Sequence, residues 1–332
     1  MRQFMALGFA LAVLINSGAA WAQGAPETIT VGTFGQGIGP WCFYVAQDRG
    51  FFDQAGVKVT NRITLYGDAP IISALVSRQV DVVFGGTGTL VPQANGQTDQ
   101  IVVVGGGEGY PVSLVAPDSI TSPAQLVGKT IDMPDKSSSL TIIGTKQVDA
   151  LVGKGKWNPI YSGGANAAHF ALIAGGQVQA VLVNDPVTLP PDQHLHILAR
   201  LNAGQAYNNG PILTTKAFLH DKPQAAIRFL AGIAAGCNFI LNPKNRTAAI
   251  DILAKDSEVD RDSCALAYDF YVTGPQRGRT PPADARLDRK AYAAAVQLLK
   301  EAGTITNTSW DPMSVVDESY LDQALKIARN LH

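Results

Sequence analysis

The sequence predicts an α/β protein of two lobes, each a wound sheet flanked by helices. Three observations carry this. Short apolar runs alternate with amphipathic helical stretches up to about residue 183. The alternation runs through one set of units and then restarts. From about Lys216 onward only helices follow, and helices alone give no second sheet to pack on.

The first set reads as buried parallel strands at 29–33, 57–60, 80–84 and 101–104, with helices at 40–48, 68–77 and 90–95 between them. Continuous Val/Ile/Leu runs of this length mark strands covered on both faces. Another strand follows at 112–116. The second set has helices at 122–127, 138–151 and 165–174, with strands at 130–133, 158–162 and 178–183. Each sheet should therefore hold about four strands. An internal echo supports duplication. Residues 73–83 (Ser-Ala-Leu-Val-Ser-Arg-Gln-Val-Asp-Val-Val) resemble 171–181 (Ala-Leu-Ile-Ala-Gly-Gly-Gln-Val-Gln-Ala-Val), both reading as helix end, tight turn and strand. The C-terminal helices are expected at 223–241, 247–255, 262–272, 287–302 and 318–330, the first opened by Pro223. Residues 273–286 read as a surface loop. The helical tail is expected to pack back on the first lobe. That makes lobe one discontinuous, 27–112 and 213–332, around lobe two at 113–212.

Residues 1–22 read as a cleavable export signal. Arg2 supplies the positive start, 4–15 are apolar, and Ala20 and Ala22 hold the small positions before the cut. The apolar stretch is short for a ~30 Å hydrocarbon core, the competing reading being a retained anchor. No cysteine stands at the cut, so no lipid anchor is expected. After Ala22 no apolar run is expected to span a membrane, and the location implied is outside the cytoplasm.

The formal net charge is −1 with 26 basic and 27 acidic residues. No basic stripe interleaved with aromatics occurs, which argues against nucleic acid and anionic lipid. Three cysteines allow one intramolecular disulfide. Cys42 reads as buried in the first helix; Cys237 and Cys264 lie on successive helices and either bridge or pack as two thiols.

Several segments resemble bacterial periplasmic solute-binding proteins of ABC importers, in the subgroup for sulfonates, taurine, nitrate and pyrimidine precursors of thiamine. The helix and Gly-Phe-Phe element from Pro40 to Phe52 is similar to that family's first helix. Ala74-Leu75 with Gln79-Val80-Asp81-Val82, Leu126-Val127-Gly128-Lys129, Ala174-Gly175-Gly176-Gln177-Val178 and Val316-Asp317-Glu318-Ser319-Tyr320 follow in the family's order. Arg78 departs from it, standing where a turn usually carries glycine. The cysteine-rich signature of the related thiamine-precursor synthase is absent. The resemblance implies a type II periplasmic-binding-protein fold: two lobes joined by crossing strands, a ligand cleft between them, and a permease as partner.

In wound sheets ligands sit beyond the carboxyl ends of strands, at helix N-termini. The candidate ligand residues lie at such corners. Gly35, Gln36 and Gly37 would offer backbone amides, and Trp41 would either stack on the ligand or sit in the core. The spacing fails a dinucleotide fingerprint because Pro40 falls on its third glycine. Tyr66, Gly86 and Thr87 belong to the next corners, Thr87 serving as ligand donor, helix cap or both. In lobe two, Lys136, Ser137 and Ser138 precede a long helix and serve an anion, a cap or both. Asn184 and Asp185 follow the last strand of that set, and Tyr110 lies at the crossing between lobes.

No nucleophile elbow, P-loop or zinc-helix motif occurs. His194 and His196 alternate on a strand without a clustered third ligand, and His169 reads as ordinary packing. The expectation is therefore a monomeric binding protein without catalytic residues, metal or cofactor. Its ligand would be a small sulfonate, carboxylate or aromatic acid. The alternatives are a periplasmic enzyme on the same scaffold and a ligand-sensing subunit of a receptor.

Overall fold

The computed structural model describes residues 26–34, 38–65, 67–106, 112–136, 138–163, 166–184, 187–201, 210–257, 259–274 and 282–332. The expected export signal lies outside the described residues.

The strands are β1 (Glu27–Phe34), β2 (Val57–Leu65), β3 (Val82–Phe84), β4 (Ile101–Gly106), β5 (Val112–Pro117), β6 (Thr130–Met133), β7 (Asn158–Tyr161), β8 (Ala180–Asn184), β9 (Leu195–Leu201) and β10 (Pro211–Thr215). They form two five-stranded sheets, ordered β2-β1-β3-β10-β4 and β7-β6-β8-β5-β9. β1 runs parallel to β2 and β3, and β6 runs parallel to β7 and β8. The wholly parallel, four-stranded reading needs correction at two places. β10 slots antiparallel between β3 and β4, and β5 slots antiparallel between β8 and β9. These two strands are where the chain crosses from one sheet to the other and back.

The repeated corner is visible in the hydrogen bonds. Helix Asp68–Val76 closes with Gln79 N–H on the Ala74 carbonyl and Arg78 N–H on Leu75. Helix Asn166–Ala174 closes with Gln177 N–H on Leu172 and Gly176 N–H on Ile173. Both are Schellman closures, with Arg78 and Gly176 in the left-handed position at φ 61° and 68°. Beyond the turn, Asp81 N–H donates to the Thr30 carbonyl while Asp81 Oδ2 accepts the Thr30 N–H, both at 2.8 Å. Gln179 does the same for Thr130, at 2.9 and 3.1 Å. β1 in one sheet and β6 in the other are thus pinned from the same position of the same motif.

The first lobe's larger core lies under the helical tail. Helix Pro223–Leu241 is long and apolar enough to cross a membrane, contrary to the expectation that no such run follows residue 22. Its apolar side chains are instead used in packing: Phe229, Leu230, Ile233 and Ile240 are buried. Gly236 lets it approach helix Trp41–Asp48, since a Cβ there would lie 2.1 Å from the Cys42 carbonyl oxygen. Phe52 stacks on Phe229 with centroids 5.1 Å apart.

A disulfide joins Cys42 to Cys237, correcting the Cys237–Cys264 alternative. Cys237 sits on the face that meets the first helix. Cys264 is a buried free thiol turned toward the Val259 carbonyl, and burial pushes its pKa up to about 11.

The tail also touches lobe two. Ala295 on helix Arg289–Glu301 packs with Ile143 of helix Ser139–Val152, and Glu301 pairs with Lys146 beside them. On another edge, Thr188 N–H and Oγ1 both meet Ser263 Oγ, at 3.1 and 2.7 Å.

Candidate functional site

Parallel strands of a wound sheet end where their helices begin, so the carboxyl ends of β2, β3 and β6 carry the corners. After β2, Gly67 at φ 90° turns the chain into helix Asp68–Val76. After β3, Gly85 and Gly86 lead into a 3-10 turn over Thr87–Leu90. After β6, Ser138 caps helix Ser139–Val152, its Oγ accepting the Thr141 N–H at 3.1 Å.

These three corners meet. Asp68, 3% exposed, belongs to the first sheet's side, yet its Oδ2 accepts the backbone N–H of Ser139 at 2.9 Å. Ser139 is the first residue of the second lobe's long helix, whose N-terminal N–H groups favour a negative charge. Gly88 completes the contact, because a Cβ there would lie 2.0 Å from Asp68 Oδ2 and 3.3 Å from the Ser139 Cβ. Only glycine admits this carboxylate. The other oxygen, Oδ1, is buried with no hydrogen-bond partner among the described residues.

Burial pushes the Asp68 pKa from 3.8 up to about 7. The Ser139 N–H and hydroxyl pull the other way, and the Gly86 N–H contributes least. The charged neighbour bearing on Asp68 is a second carboxylate, Asp135, which adds to the rise.

The structure brings Gly86, Thr87 and Ser138 to this junction. Gly86, not Thr87, is the cap residue of its turn; Thr87 is fully buried as the first turn residue, and Thr89 Oγ1 donates to the Gly86 carbonyl at 2.6 Å. Ser138 is 3% exposed and its hydroxyl is spent on Thr141. Lys136 is exposed, with its ammonium 5.7 Å from the Tyr161 ring centroid. Asn184 is exposed at the end of β8, opposite Val112. Trp41 sits in the first lobe's core, 1% exposed. Its indole N–H donates to the Ala249 carbonyl at 3.0 Å, and its ring meets Tyr268 edge-on at 6.0 Å. Gly35, Gln36, Gly37, Tyr66, Tyr110, Ser137 and Asp185 lie outside the described residues.

Asp68 itself was not among the candidates. An acidic residue in a helix's first turn is ordinary macrodipole chemistry, and nothing local says that its partner lies 71 positions away. The glycine at 88 was the signal: a second small residue where a turn into a helix needs none.

A separate polar cluster lies in lobe two. The Asp132 carboxylate is fully buried and faces His169 Nδ1 at 2.5 Å, and it accepts the Ser162 hydroxyl at 2.8 Å and N–H at 3.1 Å. His169 is therefore more than apolar packing. Serine, histidine and aspartate converge here, yet both partners face the same imidazole nitrogen, Nδ1. A serine nucleophile needs its base on one ring nitrogen and the orienting carboxylate on the other. The cluster ties β6 to the helix after β7. His196 lies 3.5 Å from Asp118 at the surface. Among the described residues no group of three or more His, Cys, Asp or Glu is placed to hold a metal ion. A groove of about 970 Å³ lies at the opposite end of β4 from the crossing, lined by first-lobe residues including Gln97, Lys216, Trp310 and Tyr320.

Two wound sheets, each holding one antiparallel crossing strand and touching at their strand-end corners, define the two-lobed fold of periplasmic binding proteins. Residues 41–246 match the family model described as "NMT1/THI5 like", and the chain belongs to that family. Among solved structures it is similar to the putative sulfonate ABC transporter, periplasmic sulfonate-binding protein SsuA, from Methylobacillus flagellatus KT. There the TM-score is 0.70 at 13% identity, over 92% of this chain and 96% of that one. The alkanesulfonate-binding protein SsuA from Xanthomonas axonopodis pv. citri, bound to MOPS, matches with TM-score 0.63 and 19% identity over 85% and 95%. The desulfurization enzyme DSZB matches with TM-score 0.63 and 14% identity over 90% and 99%. At these identities the likeness is one of fold. No curated protein sequence matches the chain.

Proposed function

We propose that this protein is an exported solute-binding protein. It captures a small organic ligand of the sulfonate, carboxylate or aromatic-acid type between its lobes and delivers it to the permease of an ABC-type importer. In this reading lobe one spans 27–112 and 213–332, lobe two spans 113–212, and the protein acts as a monomer in the periplasm. The single observation that carries it is the meeting of strand-end corners from two sheets at Asp68 and Ser139, which is where wound sheets take ligands. Closure around the ligand would be the signal read by the permease. The NMT1/THI5-like family and the fold shared with sulfonate-binding proteins support a binding role. The Cys42–Cys237 disulfide supports an oxidising compartment.

The second reading, an enzyme on this scaffold, is favoured by the fold shared with DSZB. The shared nitrogen of the Ser162–His169–Asp132 cluster counts against a serine-type mechanism there. A thermal-shift panel of sulfonates, carboxylates, aromatic acids and pyrimidines tests both readings. Stabilisation by one class, with the compound recovered unchanged by mass spectrometry, is the expected result. Recovery of a chemically altered compound overturns the binding reading in favour of the enzyme.

A further inference from the structure

Asp68 stands in the first turn of helix Asp68–Val76 in lobe one, and part of what covers it comes from lobe two. Gly86 and Gly88 of the neighbouring turn crowd it from its own side, and Ser139 closes over it from the other. Aspartate is almost never buried to this degree unless it is paired with a cation. Here the faces packed on it carry no charge, and the charged group acting on it is Asp135, an acid just ahead of the second lobe's helix. The Ser139 N–H, the Ser139 hydroxyl and the Gly86 N–H all favour the ionised form, yet burial outweighs the three together. Withdrawing Ser139 with its lobe would give Oδ2 water in place of that N–H. The carboxyl therefore holds its proton more tightly with the lobes together than with them apart, and closing them takes a proton up.

We propose that Asp68 is a proton-operated latch: its neutral carboxyl keeps the two lobes together, and its ionisation draws them apart and loosens their hold on the solute. The latch regulates the solute site of the reading above and rests on that reading, but it specifies nothing about the solute's chemistry. Its sign follows from the direction of the shift. With the lobes together the carboxyl titrates at about 7 against an ordinary 3.8. Closure is then strongest below about pH 4, weakens by up to about tenfold per pH unit as far as about pH 7, and changes no further above it. Acid surroundings retain the solute; a rise toward neutrality releases it.

The test is small-angle X-ray scattering of the dialysed mature protein, with no solute present, at about pH 4.5, 6 and 8. The parent's radius of gyration should grow from the lowest pH to the highest. Asp68→Asn keeps a carbonyl oxygen for the Ser139 N–H and cannot ionise, so it should hold the parent's acid value throughout. Ser139→Pro removes the N–H itself. A helix accepts proline at its first position, and Ser138 at φ −73° and ψ 141° already has the conformation that precedes one. That variant should be the larger at pH 4.5 and so mark the open form, with an unchanged circular dichroism spectrum. Asp68→Asn leaves the Lys146–Glu301 and Thr188–Ser263 contacts in place, so opening that persists in it belongs to other groups and overturns the latch. A parent of constant radius overturns it too, as does a Ser139→Pro as compact as the parent. Should Asp68→Asn fail to fold, the parent's profile and Ser139→Pro still decide. Each of these failures leaves solute binding standing, because no solute is present. A chemically altered compound in the thermal-shift panel sinks solute binding and leaves the scattering result as it is.

Discussion

Arg78 and Gly176 occupy the same place in two copies of one corner, each in the left-handed conformation that ends a helix with a Schellman closure. Glycine takes that conformation freely; an L-residue pays roughly 1–2 kcal/mol. Arg78→Gly should therefore stabilise the protein by about 0.5–1 kcal/mol, the gain being trimmed by glycine's greater freedom in the unfolded chain. Gly176→Ala should destabilise it by a similar amount. Urea midpoints of the two variants check this.

The Cys42–Cys237 bridge spans 195 positions and encloses every strand of the second sheet. In the chain-entropy model a loop of that length is worth roughly 5 kcal/mol, and native disulfides deliver about 2–5. Replacing both cysteines by alanine should lower the melting temperature. A reductant should lower it in the parent protein and leave the double variant unmoved. Equal response of both proteins to reductant would place the relevant cysteine chemistry elsewhere.

Asp68 has a folded-state pKa of about 7, above its ordinary 3.8. Below about pH 4 the carboxyl is neutral in both folded and unfolded chains, and its burial carries no charge penalty. Between about pH 4 and 7 the unfolded chain ionises first, so this group's contribution falls steadily, by an amount on the order of 4 kcal/mol. Above pH 7 the loss is complete and flat. Asp68→Asn should match the parent near pH 4 and exceed it in thermal stability at pH 8. A parent and variant with parallel pH profiles would contradict the burial described for this residue.

Trp41 anchors the first lobe's core through its indole N–H to Ala249 and its edge contact with Tyr268. Trp41→Ala should lose about 3–5 kcal/mol of stability, the range for truncating a large buried aromatic. Trp41→Phe keeps most of the apolar bulk and should lose less. If Trp41 were a ligand wall instead, both variants would keep the parent's stability and lose only solute affinity.

Much of this fold was legible because its signals are local. Helix Pro223–Leu241 was expected at those bounds, with Pro223 as its opening residue. The repeated corner could be read from residues 73–83 and 171–181 because a Schellman turn and its pinning side chain lie within one short stretch. β10 was not foreseen: Pro-Ile-Leu-Thr-Thr has too few residues to show a period, and it runs straight into helix Lys216–Asp221. The disulfide partner of Cys237 depended on which face of its helix meets which neighbour, a tertiary fact. The same holds for Trp41, whose place beside the first glycine-rich corner suggests a ligand wall until Ala249, 208 positions away, supplies its acceptor. Asp68 escaped notice for the same reason, since its environment is assembled from three separate corners.

The order of strands within the sheets has a consequence for how the chain is made. The second sheet has all five of its strands by residue 201, whereas the first lacks its β10, wedged between β3 and β4, until residue 215 exists. A ribosome working from the N-terminus therefore delivers the later-starting lobe in finished form first. The opening half of the chain must wait, incomplete and open-edged at β3 and β4, for a single short segment to arrive. Slow maturation and a need for escort should be properties of the earlier-made half, as expected when partners in a sheet are distant along the chain.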